Sequence, residues 1–373
     1  MSQLMQYRKL GKTGVNISAI SLGTEYLINL PREHVVSVIH SALDNGINYF
    51  DLFFAQPEFR DNMGFAFKGH RNKAMLAAHL GSTDQNGQYE RTRDLNLAIN
   101  FFEDFLRRYN TDYVDVIYLH NSDGQEDYDL IMNNGFLDTA QKCVREGKAR
   151  FIGFSGHTVS TAKQAVESGN IDILMFPINL ANNAIEGRKD LLNSCVKHDV
   201  GLIAMKPYAG GKLLQKDQVM SLEHWQLGAD KRKMEKPSRI TTIQCISYVL
   251  SQIGVSSIVP GCKTVEHLKE ALSYFNATDE EKDFSSVIKY FQQYIEGECV
   301  YCNHCLPCPS EIDIGQTIRL FEMAQNGITS EIRSAYNAMP KNASDCVQCG
   351  SCEERCPFKV EVISKMEQAS KMF

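Results

Sequence analysis

The chain has 373 residues and a formal net charge of −6, with 43% hydrophobic and 23% charged residues. This is globular composition, long enough for two domains or one large domain with an appendage. It leaves no basic footprint for nucleic acid and no apolar run near the roughly 20 residues that span a membrane.

The N-terminus, MSQLMQYRKLGKTG, lacks the apolar core of a signal peptide. The expected setting is the cytoplasm, where thiols stay reduced, so twelve cysteines read as metal ligands or catalysts before disulfides. YRKLGKTGVNISAI reads as a hairpin. Eight apolar runs follow: SAISLG (18–23), INYFDL (47–52), AMLAAHL (74–80), DVIYLH (115–120), RFIGFSG (150–156), ILMFPIN (173–179), GLIAMKP (201–207) and SSIVPG (256–261). Amphipathic helical patterns lie between them, as at Arg32–Asn45, Leu95–Arg108, Thr161–Ser168 and Ile240–Ile253. Strand and helix alternating eight times predicts a (β/α)8 barrel over residues 1–275, its floor plugged by the hairpin. No G-x-G-x-x-G follows the first strand, which weighs against a doubly wound dinucleotide fold.

Barrel chemistry sits at the C-terminal ends of the strands. Those ends carry Asp51, His79, His120, Ser155-Gly156-His157, Asn179, Lys206 and Gly261-Cys262-Lys263. Each alone is an ordinary solvated loop residue; their convergence marks a site. The long segment from Tyr208 to about Pro237 holds Gly210, Gly211 and the only tryptophan, Trp225, and reads as a lid. Pro260-Gly261-Cys262-Lys263-Thr264 opens a helix and is a candidate phosphate site, or simply a capped helix. Lys263 and His267 are candidate partners for a 2′-phosphate.

Residues 276–295 form a charged, then amphipathic linker, expected as a helix against the barrel. Residues 296–373 hold eight of the cysteines. Cys299, Cys302, Cys305 and Cys308 precede Pro309; Cys346, Cys349, Cys352 and Cys356 precede Pro357. The second run has the C-x2-C-x2-C-x3-C-P spacing of two-cluster ferredoxins, in which the fourth cysteine of each run serves the other cluster. One [4Fe–4S] cluster is therefore expected on Cys299, Cys302, Cys305 and Cys356, the other on Cys346, Cys349, Cys352 and Cys308. Zinc also uses C-x2-C pairs, but two zincs need no such evenly spaced run ending in proline. A helix is expected over Ile312–Gln325. Cys143, Cys195, Cys245 and Cys262 read as small core residues.

Four stretches resemble the aldo-keto reductase family. GINYFD (46–51) resembles the strand ending in its catalytic aspartate, and DYVDVIYLH (112–120) the strand delivering its catalytic histidine. ARFIGFSGH (149–157) resembles its nicotinamide-side motif, and VPGCKTVEHL (259–268) its cofactor-phosphate motif. With the tail included, the chain resembles the branch carrying a C-terminal [4Fe–4S] ferredoxin-like domain. The resemblance implies hydride transfer from NAD(P)H to a carbonyl, with a tyrosine as proton donor tuned by lysine, aspartate and histidine. It implies cofactor contacts at Ser155, Gly156, His157, Asn179, Gly210, Gly211, Gly261, Lys263, Thr264 and His267.

Asp51 and His120 match the tetrad, but Gln56 stands where the tyrosine belongs and His79 where the lysine belongs. Met205 replaces a stacking tyrosine, and Gly156 the asparagine of the usual S-N pair. A glutamine cannot donate a proton as a phenol does, which argues against ordinary carbonyl reduction. His79, His120 and Lys206 are the candidate replacements, with Tyr26, Tyr118 and Tyr208 as further phenols; Tyr118 also reads as a barrel-layer residue. Joining one-electron clusters to a hydride carrier takes a flavin or a radical-capable substrate. The organic cofactor candidates are thus NAD(P) or a flavin. The leading expectation is an iron–sulfur oxidoreductase acting on a small organic molecule and exchanging electrons through the tail, with an external ferredoxin- or flavodoxin-type carrier as candidate partner. The alternatives are an electron-transfer scaffold with an inactive barrel and a non-redox lyase or isomerase.

Overall fold

A computed structural model describes residues 5–214, 240–288, 291, 297, 299, 301, 303–325, 327–356 and 358–373. An antiparallel hairpin, β1 (Tyr7–Lys9) and β2 (Asn16–Ser18), comes first. The body continues with β3 (Leu22–Gly23), β4 (Tyr49–Leu52) and β5 (Met75–Leu80). A second hairpin, β6 (Ser82–Gln85) and β7 (Gln88–Arg91), interrupts the series. Then come β8 (Val114–Leu119), β9 (Ala149–Ser155), β10 (Ile173–Pro177), β11 (Gly201–Met205) and β12 (Val255–Val259). Eight strands, β3-β4-β5-β8-β9-β10-β11-β12, pair in parallel in that order. Parallel bridges from Ile20 to Ile258 and from Gly23 to Gly261 bring the first strand against the last. This is the expected (β/α)8 barrel. The four anticipated helices appear at Arg32–Asp44, Leu95–Arg108, Val159–Glu167 and Thr242–Leu250.

Strand side chains alternate between faces, and both faces of a barrel strand are covered. One set, including Tyr49, Met75, Ala77, Val116, Tyr118, Ile173, Met175, Ile203 and Met205, fills the interior. The other set, including Phe50, Leu76, Ile117 and Leu174, faces the helices. Leu10 and Ile17 join the interior set from the first hairpin, closing the floor. Gly153 is required where it stands: a Cβ there would meet the Tyr118 ring at 2.4 Å.

The tail folds as helices Ile314–Ala324, Ser330–Asn337 and Val362–Met372 around the cysteine loops. It docks on the barrel through a buried carboxylate. Glu322 accepts from the Tyr301 hydroxyl at 2.5 Å and pairs with Lys212 and Lys365, each at 3.0 Å. Lys212 belongs to the barrel segment after β11 and is only 6% exposed. In the linker, short helices occupy Asp279–Lys282 and Ser285–Ile288; the rest of the anticipated linker helix lies largely outside the described residues. So do Trp225, most of the anticipated lid and Cys302.

Removing one partner of a buried ion pair strands the other charge. Glu322→Ala is therefore expected to destabilise the chain by about 3 kcal/mol, read as a lower midpoint in thermal unfolding followed by circular dichroism. An unchanged midpoint would refute the docking role.

Candidate active site

Barrel alternation explains why the strand-end residues converge. Asp51, His79, His120 and Ser155 share the inward parity of Tyr49, Ala77, Tyr118 and Phe151, so they stand at the mouth above the filled interior. They line a small cavity of about 50 Å³ together with Glu25, Asn121, His157, Met205 and Lys206. One lining residue is not from the barrel: His304, between two cluster cysteines of the tail, enters the same cavity. It is 8% exposed, and its Nδ1 has no hydrogen-bond partner among the described residues. Its ring packs edge-on against His157, with centroids 4.5 Å apart.

The three central residues form a hydrogen-bonded chain. Asp51 Oδ1 lies 2.8 Å from His79 Nε2, His79 Nδ1 lies 2.8 Å from His120 Nδ1, and His120 Nε2 lies 2.7 Å from the Tyr89 hydroxyl. Burial, then the charge of His79, holds His120 well below the usual imidazole range, so it is neutral near pH 7. In the tautomer that places one proton on each ring, Tyr89 donates to His120, His120 to His79, and His79 to the carboxylate. The His79 ring stacks on Tyr118, centroids 4.8 Å apart, and the Tyr118 hydroxyl pairs with Tyr49 at 2.8 Å. Tyr118 is thus a barrel-layer residue below the cavity.

A second polar group faces the first. Lys206 Nζ donates to His157 Nε2 at 3.1 Å, and His157 Nδ1 lies 3.1 Å from both Asn121 Oδ1 and Asp123 Oδ2. Burial lowers the His157 imidazole, with the Asp123 charge opposing. Burial would raise the Asp123 carboxyl, but the charge and hydrogen bonds of His157 hold it below the usual range. Lys206 sits in the left-handed region, φ 56°. Asn179 Nδ2 binds the Lys206 carbonyl at 2.9 Å and its Oδ1 accepts from Asn182 N. Asn179 therefore fixes the backbone of Lys206 and lines neither this cavity nor the next. Burial raises the Glu25 carboxyl, with Lys206 opposing and Asp51 adding to the rise.

A larger cavity of about 380 Å³ adjoins the first and shares Glu25, Lys206 and Val259 with it. Gly210, Gly211, Gly261, Lys263 and His267 line it, with Tyr26, Tyr208 and, from the tail, Arg319. Thr264 does not: its hydroxyl accepts from His267 N and caps helix Val265–Leu272. Ser155 and His157 line the small cavity, not the large one, and Gly156 lines neither. A volume of 380 Å³ is within the usual range for organic ligands, and glycines with basic side chains suit a nucleotide phosphate.

The cysteines gather into two sets drawn from both runs. Cys308 lines one cavity with Cys346, Cys349 and Cys352, walled by Ile312, Ile314 and Met366. Cys356 lines another with Cys299 and Cys305, walled by Ile318 and Val360. Thiols grouped this way inside apolar walls suit iron–sulfur cubes. Arg355 ties the loops by donating to the carbonyls of Cys305 and Pro307 at 2.9 and 2.6 Å.

Sequence reasoning missed Tyr89, Asn121, Glu25 and His304. Tyr89 had a signal: Asn86-Gly87 between alternating residues marks a two-residue hairpin. It is one, with φ of 54° and 83° at those residues. His304 had none, because its role depends on how the tail docks. Gln56 is not aimed at the cavity; its amide donates to Gly87 O at 2.9 Å.

Residues 19–290 match the Aldo/keto reductase family and residues 298–361 the 4Fe-4S dicluster domain. Similar proteins include the uncharacterized oxidoreductase YqkF of Bacillus subtilis, 26% identical over 74% of this chain and 94% of that one. L-glyceraldehyde 3-phosphate reductase of Escherichia coli is 24% identical over 73% of this chain and 88% of its own length. L-galactose dehydrogenase of Arabidopsis thaliana is 24% identical over 71% of this chain and 86% of its own. The aldo-keto reductase AKR11C1 from Bacillus halodurans superposes with a TM-score of 0.63 at 20% identity, over 79% of this chain and 99% of that one, a likeness of fold. The chain belongs to the aldo/keto reductase family and is an oxidoreductase of that fold joined to a 4Fe-4S dicluster domain.

Proposed function

We propose that the chain carries out redox conversion of a small polar organic molecule in the 50 Å³ cavity, with NAD(P) or a flavin in the adjoining 380 Å³ cavity and two [4Fe–4S] clusters in the tail. The observation that carries this reading is the shared boundary. Lys206 and Glu25 line both barrel-mouth cavities, and His304 from a cluster-binding loop lines the smaller one. The ligand sets are Cys299, Cys302, Cys305 and Cys356, and Cys346, Cys349, Cys352 and Cys308. When bound, the nucleotide supplies a hydride or electron pair and the clusters supply single electrons.

The chain's own residues manage charge and protons. Lys206 Nζ spends one donor on His157 and a weaker one on Met205 Sδ, leaving the third for a substrate oxygen that gains negative charge. Asp51 holds His79, and the His79–His120–Tyr89 chain restores a proton after one is consumed. His304 and His157 cover the cavity and limit the size of what enters. This arrangement replaces the tyrosine–lysine pair of the family pattern, and Gln56 has no part in it.

Anaerobic purification followed by iron, sulfide and released-cofactor analysis tests the cofactor reading. About eight irons per chain are expected; zinc without iron would overturn it. Cys308→Ser and Cys356→Ser should each perturb one cluster signal in electron paramagnetic resonance while sparing the other.

Small aldehydes, ketones and 2-oxo acids are the candidate substrates. With any that turn over, Lys206→Met and Asp51→Asn should lower kcat by about 100-fold or more, and Tyr89→Phe by about tenfold. Gln56→Ala should stay within about twofold. A large loss in the Gln56 variant, or none in Lys206→Met, contradicts the assignment. Turnover with every redox donor withheld would identify acid–base chemistry instead. Protonating His120 removes its acceptor nitrogen, and because burial holds that imidazole well below its usual range, kcat should hold through the ordinary imidazole value of about 6.5 and decline only at distinctly more acid pH.

A further inference from the structure

We propose that Arg319, a residue of the cluster-bearing tail, clamps a phosphate group of the nucleotide in the larger cavity. The inference rests on reading that cavity as a nucleotide site. Arg319 lies on helix Ile314–Ala324 and is half-buried, yet it lines a cavity otherwise built by barrel residues that follow β3, β11 and β12 and by Thr242, Val259, His267 and Glu270. Its Nη2 would lie 3.7 Å from a Cβ placed on Gly211. The guanidinium thus faces the consecutive left-handed turn of Gly210 and Gly211, φ 68° and 90°, with no side chain between.

Arg319 has no carboxylate partner among the described residues. Its Cζ sits 5.6 Å from the Tyr301 ring centroid, a stacking contact that leaves the in-plane N–H donors unspent. The acid one turn along the same helix, Glu322, is committed to Lys212, Lys365 and Tyr301. Of the cavity's own acids, Glu270 accepts from the Thr242 hydroxyl at 2.7 Å, and Glu25, whose carboxyl burial raises, has its Oε1 3.4 Å from where a Cβ on Gly261 would stand. A half-buried arginine resting on an aromatic ring, with its fork free and pointed into a glycine-lined cavity, is the arrangement that recognises phosphate oxygens in a bidentate way. The ring it rests on, Tyr301, belongs to the loop between Cys299 and Cys302. Nucleotide occupancy is thereby linked to the tail through a single side chain.

The test is equilibrium binding to the full chain, purified anaerobically, with NADPH, NADH and FMN titrated separately and followed by fluorescence or calorimetry. Arg319→Gln should weaken whichever nucleotide the wild type binds by about 10- to 100-fold, the range for a charge-assisted pair. Arg319→Lys should recover part of the loss, since it keeps the charge but not the fork. Inorganic phosphate should compete in the wild type and lose most of its effect in Arg319→Gln. Iron content per chain monitors docking of the tail; should Arg319→Gln lose iron, the comparison of Arg319→Lys with wild type decides. Unchanged affinity in iron-replete variants overturns the clamp while leaving the nucleotide site standing. A wild type that binds none of the three nucleotides overturns the reading of the cavity itself, and the clamp with it.

Discussion

One short strand ties the two halves of the molecule together. In β7, neighbouring residues point to opposite faces, as strand geometry requires. Tyr89 turns inward, and its hydroxyl meets His120 at 2.7 Å. Gln88 turns outward, and its amide brackets Cys308: its Oε1 accepts from Cys308 N at 3.1 Å, and its Nε2 donates to Cys308 O at 3.4 Å. A displacement of the hairpin would therefore disturb a cysteine loop and the proton chain together. The hairpin is set by the Asn86-Gly87 turn and steadied by Gln56.

The tail does more than hang from the barrel. It brings His304 into the small cavity and Arg319 into the large one, and the Glu322 cluster pins both near their targets. Covering a barrel mouth excludes water, which strengthens each electrostatic contact inside it. Four imidazoles, a lysine and two carboxylates then share a confined space, and neutral rings such as His120 are what such a space favours.

Much of this was legible in the sequence wherever local pattern and period decide structure. The Leu95–Arg108 helix appears at its anticipated ends because an apolar stripe and the Asp94 cap agree. Asp51, His79 and His120 were legible as polar residues at the C-terminal ends of apolar runs, since a barrel gathers its strand ends at one mouth. The crossed pairing of the cysteine runs was an expectation carried over from two-cluster ferredoxins; Cys308 lines a cavity with Cys346, Cys349 and Cys352, and Cys356 one with Cys299 and Cys305. What escaped depends on tertiary docking. Asn179 and Thr264 look like site residues at strand ends but spend their side chains on backbone. His304 and Arg319 look like loop and helix polars until the tail is laid across the mouth. The anticipated lid around Trp225 lies outside the described residues.

The central claim is that barrel mouth and tail form one redox unit. Anaerobic stopped-flow absorbance of the cluster bands, on mixing the loaded protein with reduced nucleotide and then with an oxidised substrate, tests it most directly. The account predicts bleaching by the nucleotide at a rate no slower than turnover, and recovery when substrate follows. Substrate conversion at full rate with the cluster bands unmoved would contradict it.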